Sequence, residues 1–267
     1  MPINVNSASG FDPLMHALRA SELAGRVICI TGATGGLGRA LALDCARHGA
    51  QLVLCGRNVG KLEALHAEIL TLEDTNAPRA APPIAPLIAP LDLEKAQARD
   101  YDQIADALSA RFGKLDGLVH CAGLLGALAP IEQYDVPTWF RVLHVNVTAA
   151  FALTQVLLPA LRASADASVI YTSSSVGRKG RAYWGAYAVS KFALEGLTQV
   201  LADELENTSV RVNAINPGRM RTGMRRHAYP SEALDTLPLP ATLTGPYLAL
   251  LSVAARGVTG RSFDAQA

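Results

Sequence analysis

The sequence predicts an α/β fold: a single doubly wound, mostly parallel sheet with helices on both faces. Short strands rich in Val, Ile and Leu alternate with helical segments along almost the whole chain. Apolar runs of this kind are typical of parallel strands that helices cover on both sides. The length of 267 residues suits one such unit, because α/β domains commonly reach this size.

The expected elements follow one another in a regular order. The predicted strands span 26–31, 51–56, 84–91, 117–121, 168–173, 210–215 and 261–264. The predicted helices span 37–48, 61–72, 96–112, 137–162, 183–206 and a proline-broken segment within 233–255. The Ala/Pro-rich residues at the front of the stretch 77–90 are predicted as a loop.

We expect one catalytic domain over residues 25–267, preceded by an extension over residues 1–24. No internal repeat and no break in composition divides the longer part. A short helix is predicted within 13–23. The first ten residues lack the basic start and apolar core of a secretory signal, and no uninterrupted apolar run approaches the roughly 20 residues of a membrane span.

Composition and charge restrict the partners and the compartment. Half of the residues are apolar (50%) and the formal net charge is +1, which favours neither nucleic acid nor an anionic membrane as a partner. The four cysteines, Cys29, Cys45, Cys55 and Cys121, include no C-x-x-C pair. We interpret them as buried free thiols of a cytoplasmic protein, and we expect no metal site.

A glycine-rich turn spans residues 31–38, between the first strand and the first helix. Glycines let the backbone turn tightly and approach a pyrophosphate, and the start of the following helix attracts the anion. The placement predicts a dinucleotide site, with a tight turn that binds nothing as the alternative. The residues expected to contact the cofactor here are Thr31, Gly32, Gly36, Leu37 and Gly38.

The end of the second strand indicates which dinucleotide binds. NAD sites carry an acidic residue about 20 residues beyond the glycines, where it bonds the ribose 2′-hydroxyl. Residues 54–58 contain no Asp or Glu, and Arg57 lies among them. A guanidinium pairs well with a 2′-phosphate. We therefore expect NADP(H) rather than NAD(H), with a solvated loop arginine as the alternative.

Tyr187 and Lys191 lie four residues apart in a predicted helix, so they share one face. A phenol titrates at about pH 10, and a neighbouring ammonium is expected to lower that pKa toward the working range. The hydroxyls of residues 173–175 follow a strand, at the sheet edge where ligands bind. Each feature alone has an ordinary structural explanation, and their combination indicates a proton-transfer site.

Taken together, these motifs resemble the short-chain dehydrogenase/reductase family over about residues 24–264. The TGxxxGxG turn, Asn146, the serine, the Tyr187-x-x-x-Lys191 motif and Pro217-Gly218 occur in the family's order. Within the family the chain most resembles YciK-like bacterial oxidoreductases. The resemblance implies a Rossmann-type fold and hydride transfer between NADP(H) and a carbonyl or alcohol.

The resemblance also implies individual roles. Tyr187 would exchange a proton with the carbonyl oxygen, and Ser174 would orient the substrate. Lys191 would lower the tyrosine pKa and hold the nicotinamide ribose, and Asn146 would hold a water that connects Lys191 to solvent. Further expected cofactor contacts are Asp92 at the adenine, Ala122 and Gly123 by close backbone approach, and Pro217, Gly218 and Thr222 at the nicotinamide.

A small-molecule substrate and a homodimer or homotetramer are expected on the same resemblance, with substrate specificity in the loops 124–135 and 219–239. Two alternatives remain: a dinucleotide-binding sensor or scaffold with little turnover, and a non-redox lyase or isomerase on the same fold. An intact catalytic set argues against the sensor or scaffold, whereas only the absence of net nicotinamide oxidation would identify the lyase or isomerase.

Two segments depart from the family pattern. The family's usual Asn-Asn pair after the fourth strand is His120-Cys121 here. We interpret His120 as a packed strand-end residue, with a catalytic histidine as the alternative. Five basic residues crowd the stretch after Pro217-Gly218, either as a solvated loop or as an attractor of an anionic substrate or of cofactor phosphates. They are Arg219, Arg221, Arg225, Arg226 and His227.

Overall fold

A computed structural model of the chain describes residues 10–72 and 85–266. Within these ranges seven strands form one sheet in the order β3-β2-β1-β4-β5-β6-β7. The strands are β1 (Val27–Thr31), β2 (Gln51–Gly56), β3 (Leu87–Pro90), β4 (Gly117–His120), β5 (Ala167–Thr172), β6 (Val210–Asn216) and β7 (Ser262–Asp264). All of these strands pair in parallel, which confirms the predicted fold class.

Helices cover both faces of this sheet. They are α1 (Gly36–Arg47), α2 (Val59–Leu70), α3 (Ala98–Phe112), α4 (Val136–Leu143), α5 (Ala149–Arg162), α6 (Gly185–Glu204), α7 (Gly223–Ala228) and α8 (Gly245–Leu251). Alternate side chains of β1 enter opposite cores: Ile28 packs in the cluster that contains Leu41, and Cys29 packs in the cluster that contains Leu153. Because both faces are buried, the strand is apolar throughout.

The order of the strands determines where a ligand can bind. The chain proceeds outward from β1 to β2 and β3, and then crosses back to place β4 against the other side of β1. The register pairs Ile28 with Gly117 and Thr31 with His120. The connections that follow β1 and β4 leave in opposite directions, so a crevice opens beyond the carboxyl ends of these two strands.

The helix predicted over 137–162 is one helical run that begins at Val136 and contains a wide π turn at His144–Thr148. By length and composition alone, Val136–Arg162 is apolar enough to cross a membrane, with a mean hydropathy of 1.5. However, 44% of its most apolar window is buried, and Leu153 and Leu157 pack in the sheet core. We therefore interpret this run as a core helix of the α/β fold.

The structure contradicts one helix prediction, the short helix within 13–23. Residues 13–15 and 20–25 form turns, and residues 16–19 between them have no regular structure. The Asp12 carboxylate accepts the Leu14 N–H at 2.9 Å, and Ser21 has φ of 61°. Such local bonds and left-handed backbone compete with a short helix. The proline-broken late helix predicted within 233–255 is present as α8, which follows the short 3₁₀ turns Leu234–Thr236 and Pro240–Leu243, because Pro238 and Pro240 interrupt the segment.

Some expectations lie outside the described residues. The start of the extension (1–9) and the front of the Ala/Pro-rich stretch (77–84) belong to this group. The strand predicted from residue 84 begins at Leu87. Phe11 and Leu18 of the extension pack against the core cluster that contains Leu41. The domain boundary at residue 25 stays a prediction.

Candidate active site

A groove with a volume of about 620 Å³ runs along the carboxyl ends of the strands. Its walls include the glycine turn after β1, the loop after β4, the start of α6 and the loop after β6. The groove is lined by every residue predicted to contact the cofactor: Thr31, Gly32, Gly36, Leu37, Gly38, Arg57, Asp92, Ala122, Gly123, Tyr187, Lys191, Pro217, Gly218 and Thr222.

Three glycines of the turn, Gly32, Gly36 and Gly38, lie where no side chain would fit. Gly32 has φ of +65°, and a Cβ built on it would lie 2.9 Å from both the Ala122 N and the Ala122 Cα. A Cβ on Gly36 would lie 2.9 Å from the Thr222 Cγ2, and one on Gly38 would overlap the Gly32 carbonyl oxygen. Gly35 precedes α1 without a side-chain cap. The first amides of α1 are therefore free for an anion, and the cradle fits a pyrophosphate.

The end of β2 supplies positive charge to one end of the groove. Arg57 is exposed there, and Lys61, which the sequence analysis did not single out, lines the groove with it. Asn58 begins α2 by accepting the Lys61 N–H at 2.9 Å. The four-residue spacing of Arg57 and Lys61 was the signal that could have identified Lys61. Two cations at this point fit a phosphorylated ribose.

Three predicted catalytic residues meet in the groove: Ser174, Tyr187 and Lys191. The Ser174 hydroxyl lies close enough to the Tyr187 phenol to lower the pKa of that phenol. The Lys191 Nζ lies 5.4 Å from the centre of the Tyr187 ring and donates to the Thr172 carbonyl oxygen at 2.6 Å. The end of β5 and the first turns of α6 thus hold one hydroxyl, one phenol and one amine at the same wall.

Burial determines the pKa values of this pair. Desolvation raises the pKa of Tyr187 to about 12, against a smaller opposing effect of the Ser174 hydroxyl. Desolvation lowers the pKa of Lys191 to about 8, although Cys121 and Glu195 oppose it. The pKa of Tyr187 therefore shifts in the direction opposite to the expected lowering, because burial dominates it, and the contribution of Lys191 to this pKa stays a prediction. Tyr187 holds its proton at neutral pH, whereas the buried ammonium is close to its titration point.

Asn146 lies behind the groove, in the π turn between α4 and α5. Its amide donates to the Leu124 carbonyl oxygen and to the Ser190 Oγ, both at 2.9 Å, and accepts the Leu124 N–H at 2.7 Å. A Cβ built on Gly123 would lie 3.5 Å from the Asn146 Oδ1 and 3.9 Å from the Lys191 Nζ. Asn146 thus braces the loop after β4 beside Lys191, and its water-holding role stays a prediction.

Comparison with known proteins gives this arrangement a family. The model of the short-chain dehydrogenase family matches residues 26–233. The chain belongs to this family of oxidoreductases.

Similar proteins extend the match to nearly the whole chain. The oxidoreductase YciK of Escherichia coli K12 is 45% identical over 241 residues, which cover 90% of this chain and 92% of YciK. The predicted likeness to YciK-like oxidoreductases is therefore confirmed. A short-chain dehydrogenase from Shigella flexneri 2a, solved in complex with NADP, is 43% identical with a TM-score of 0.87 and covers 93% of this chain and all (100%) of its own.

A further solved relative holds the reduced cofactor. This short-chain dehydrogenase from Escherichia coli CFT073, solved in complex with NADPH, is 44% identical with a TM-score of 0.87. The match covers 94% of this chain and 100% of that chain.

The His120-Cys121 departure from the family pattern is a matter of packing. His120 is buried, stacks on Tyr171 with ring centres 5.0 Å apart, and shares a 2.9 Å hydrogen bond with the Thr154 hydroxyl. Burial lowers the pKa of His120 to about 3, so it is neutral at physiological pH. Cys121 lines the groove with a thiol whose pKa burial raises to about 12. Neither side chain is poised for acid–base work.

The basic stretch after β6 is partly neutralised. Arg225 pairs with Glu232 and stacks on Tyr229, with its guanidinium carbon 3.8 Å from the ring centre. Arg221 donates to the Asp235 carbonyl oxygen at 2.7 Å. Arg219 and Arg225 line the groove, whereas Arg226 and His227 are exposed. The stretch forms the short helix α7 over the groove, which the sequence analysis did not predict.

Trp184 is a further groove residue that the sequence analysis did not assign to the site. It lines the groove and its ring centre lies 5.8 Å from that of Tyr187. Its position three residues before Tyr187 places the two rings on neighbouring parts of one helix face, and this spacing was the available signal. An indole beside the phenol gives the substrate end of the groove an aromatic wall.

The neutral state of His120 predicts a pH effect on stability. The pKa of His120 is about 3 in the folded chain, below its ordinary value of 6.5. As the pH falls below 6.5, His120 therefore binds a proton in the unfolded chain but not in the folded one. The resulting stability is present near neutral pH and is lost toward acid. His120→Gln should therefore show a smaller loss of unfolding free energy between about pH 7 and about pH 5 than the wild type.

Urea unfolding at the two pH values measures this difference. His227→Gln, at an exposed position, is the matched control and should behave as the wild type does. An unchanged acid dependence in His120→Gln would contradict the assignment of His120 as a buried neutral residue.

Proposed function

We propose that the protein is an NADP(H)-dependent oxidoreductase that interconverts a carbonyl compound and its alcohol. The observation that carries the proposal is that Ser174, Tyr187 and Lys191 line the same groove as the glycine turn, in which Gly32, Gly36 and Gly38 leave no room for a side chain. The family membership supports a small-molecule substrate.

When bound, the nicotinamide cofactor supplies or accepts the hydride. The chain's own residues handle the proton and the orientation. Ser174 holds the substrate oxygen beside the phenol, and Tyr187 donates its proton to that oxygen as the carbon is reduced. Because burial keeps Tyr187 protonated at neutral pH, the resting enzyme is prepared for reduction. The ammonium form of Lys191 stabilises the phenolate as it forms, because an adjacent positive charge favours the charged phenolate over the phenol.

The proposed preference for NADP(H) rests on Arg57 and Lys61 at the end of β2 and on the absence of a carboxylate in residues 54–58. Relatives at 43% and 44% identity bind NADP and NADPH. A 2′-phosphate would meet cations here, whereas an NAD site would offer a carboxylate to the 2′-hydroxyl.

Arg57→Ala should weaken NADPH binding about tenfold and leave NADH binding nearly unchanged, because only NADPH carries the phosphate that pairs with the guanidinium. Fluorescence titration of both cofactors measures the two dissociation constants. Arg39→Ala removes an exposed guanidinium that pairs with Glu68 on α2 and should change neither. Equal or tighter binding of NADH by the wild type would refute the preference.

Tyr187→Phe should lower kcat by about 100-fold or more, since it removes the proton donor, and should leave the NADPH dissociation constant within about twofold, because the ring remains in place. Tyr183→Phe, at an exposed tyrosine four residues earlier, is the matched control. A panel of aldehydes and ketones with NADPH absorbance as the signal measures turnover. Retained activity in Tyr187→Phe would remove the tyrosine from its role.

We also propose a homodimer or homotetramer. Exposed apolar side chains, Phe140, Phe151 and Phe192, lie on α4, α5 and α6, and clusters of exposed apolar surface commonly mark an interface. Sedimentation should show a dimer or tetramer at micromolar concentration. Phe192→Glu should shift the protein to a smaller species, whereas a monomeric wild type would refute the assembly.

The cytoplasmic location stays a prediction that fractionation of cells would test. All four cysteines are free thiols, as that compartment favours.

A further inference from the structure

Arg178 lies four residues after Ser174 and reaches away from the groove to the edge strand β7. Its Nη1 pairs with the Asp264 carboxylate at 2.8 Å, and its Nη2 donates to the Phe263 carbonyl oxygen at 2.6 Å. Its Nε lies 3.0 Å from the Ser262 Oγ and 3.4 Å from the Glu195 Oε1. One guanidinium therefore contacts three successive residues of β7 and a carboxylate of α6.

Glu195 continues this network toward the catalytic serine. It follows Lys191 by one helical turn on α6, and it is buried. Its Oε1 accepts hydrogen bonds from the Ser173 Oγ at 2.5 Å and from the Ser262 Oγ at 2.9 Å. Because Ser173 is the residue before Ser174, Arg178 and Glu195 anchor the serine segment from both sides.

The same strand, β7, is also linked by hydrogen bonds to the loop 217–219, which lines the groove. The Asp264 Oδ1 accepts a hydrogen bond from the Asn216 Nδ2 at 2.7 Å, and the Asn216 Oδ1 accepts the Gly218 N–H at 3.0 Å. The Gln266 amide donates to the carbonyl oxygens of Pro217 and Arg219 at 2.7 and 2.9 Å. The loop 217–219 is therefore hydrogen-bonded, through Asn216, to β7 and directly to Gln266 just after this strand.

We propose that Arg178 and Glu195 are positioning residues that set the distance between the Ser174 segment and the loop 217–219. The inference rests on the proposed function, since it concerns the same groove. The strand β7 has only three residues and bonds to the sheet through β6 alone, so the sheet by itself holds it weakly. Charge-assisted bonds from Arg178 fix it, and small displacements in an active site reduce the rate of the chemical step strongly.

A measurement that needs no turnover tests the coupling. In Arg178→Met, amide exchange of the peptide over residues 213–222 should accelerate about tenfold, because the Gly218 N–H loses its anchored acceptor. Arg178→Lys keeps the positive charge but lacks the two-pronged guanidinium, and its exchange rate should lie between those of Arg178→Met and the wild type. Arg261→Met is the matched control: its guanidinium stacks on Phe263 in β7 and makes none of these bonds. Unchanged exchange in Arg178→Met would overturn the proposal.

Turnover separates positioning from mere stability. With the carbonyl compound that the wild type reduces fastest, Arg178→Met and Glu195→Gln should lower kcat about tenfold at a temperature where both are folded, with KM for NADPH nearly unchanged. A lower melting temperature with unchanged kcat would also overturn the proposal. A wild type without turnover on any carbonyl compound would refute the proposed reductase, and the exchange experiment would still decide the coupling.

Discussion

The close approach of two backbones beyond β1 and β4 is the constraint on which the site depends. Gly32 leaves β1 with a positive φ and places its α carbon against Ala122, so that any side chain there would collide. Thr31 reinforces the contact, because its hydroxyl accepts the Ala122 N–H at 3.3 Å. This junction brings the start of α1 to the mouth of the crevice. Tyr187 and Lys191 line the same groove as this junction.

Burial then gives the catalytic pair its chemistry. The side chains of Tyr187 and Lys191 are buried, and withdrawing a phenol and an amine from water disfavours the charged form of each. The Thr172 carbonyl oxygen and the Glu195 carboxylate offset part of this cost for Lys191. The result is a neutral phenol beside an amine that changes charge easily. Behind them, the bonds of Arg178 and Glu195 tie the Ser174 segment to the loop 217–219 through β7.

The features that sequence predicted are those that local patterns determine. Apolar runs predicted the strands, glycine spacing predicted the turn, and the four-residue spacing of Tyr187 and Lys191 predicted their common face. The features that the sequence did not predict depend on contacts between residues that are distant in the chain. The Arg178 bonds to β7 join residues more than 80 positions apart, such as Ser262 at 84, and no periodicity signals them. The pKa of Tyr187 is raised rather than lowered because burial, a property of the folded chain, disfavours the phenolate.

Transfer of deuterium from NADPH labelled at the nicotinamide C4 distinguishes an enzyme from a binding protein at this groove. Incubation with reducible aldehydes and ketones, followed by mass spectrometry of the products, follows the label itself. Hydride transfer at the Tyr187 wall predicts an alcohol with one deuterium on the former carbonyl carbon, and unlabelled oxygen-bound hydrogen from solvent. Tight NADPH binding with no labelled alcohol from any carbonyl compound would contradict the proposed hydride transfer.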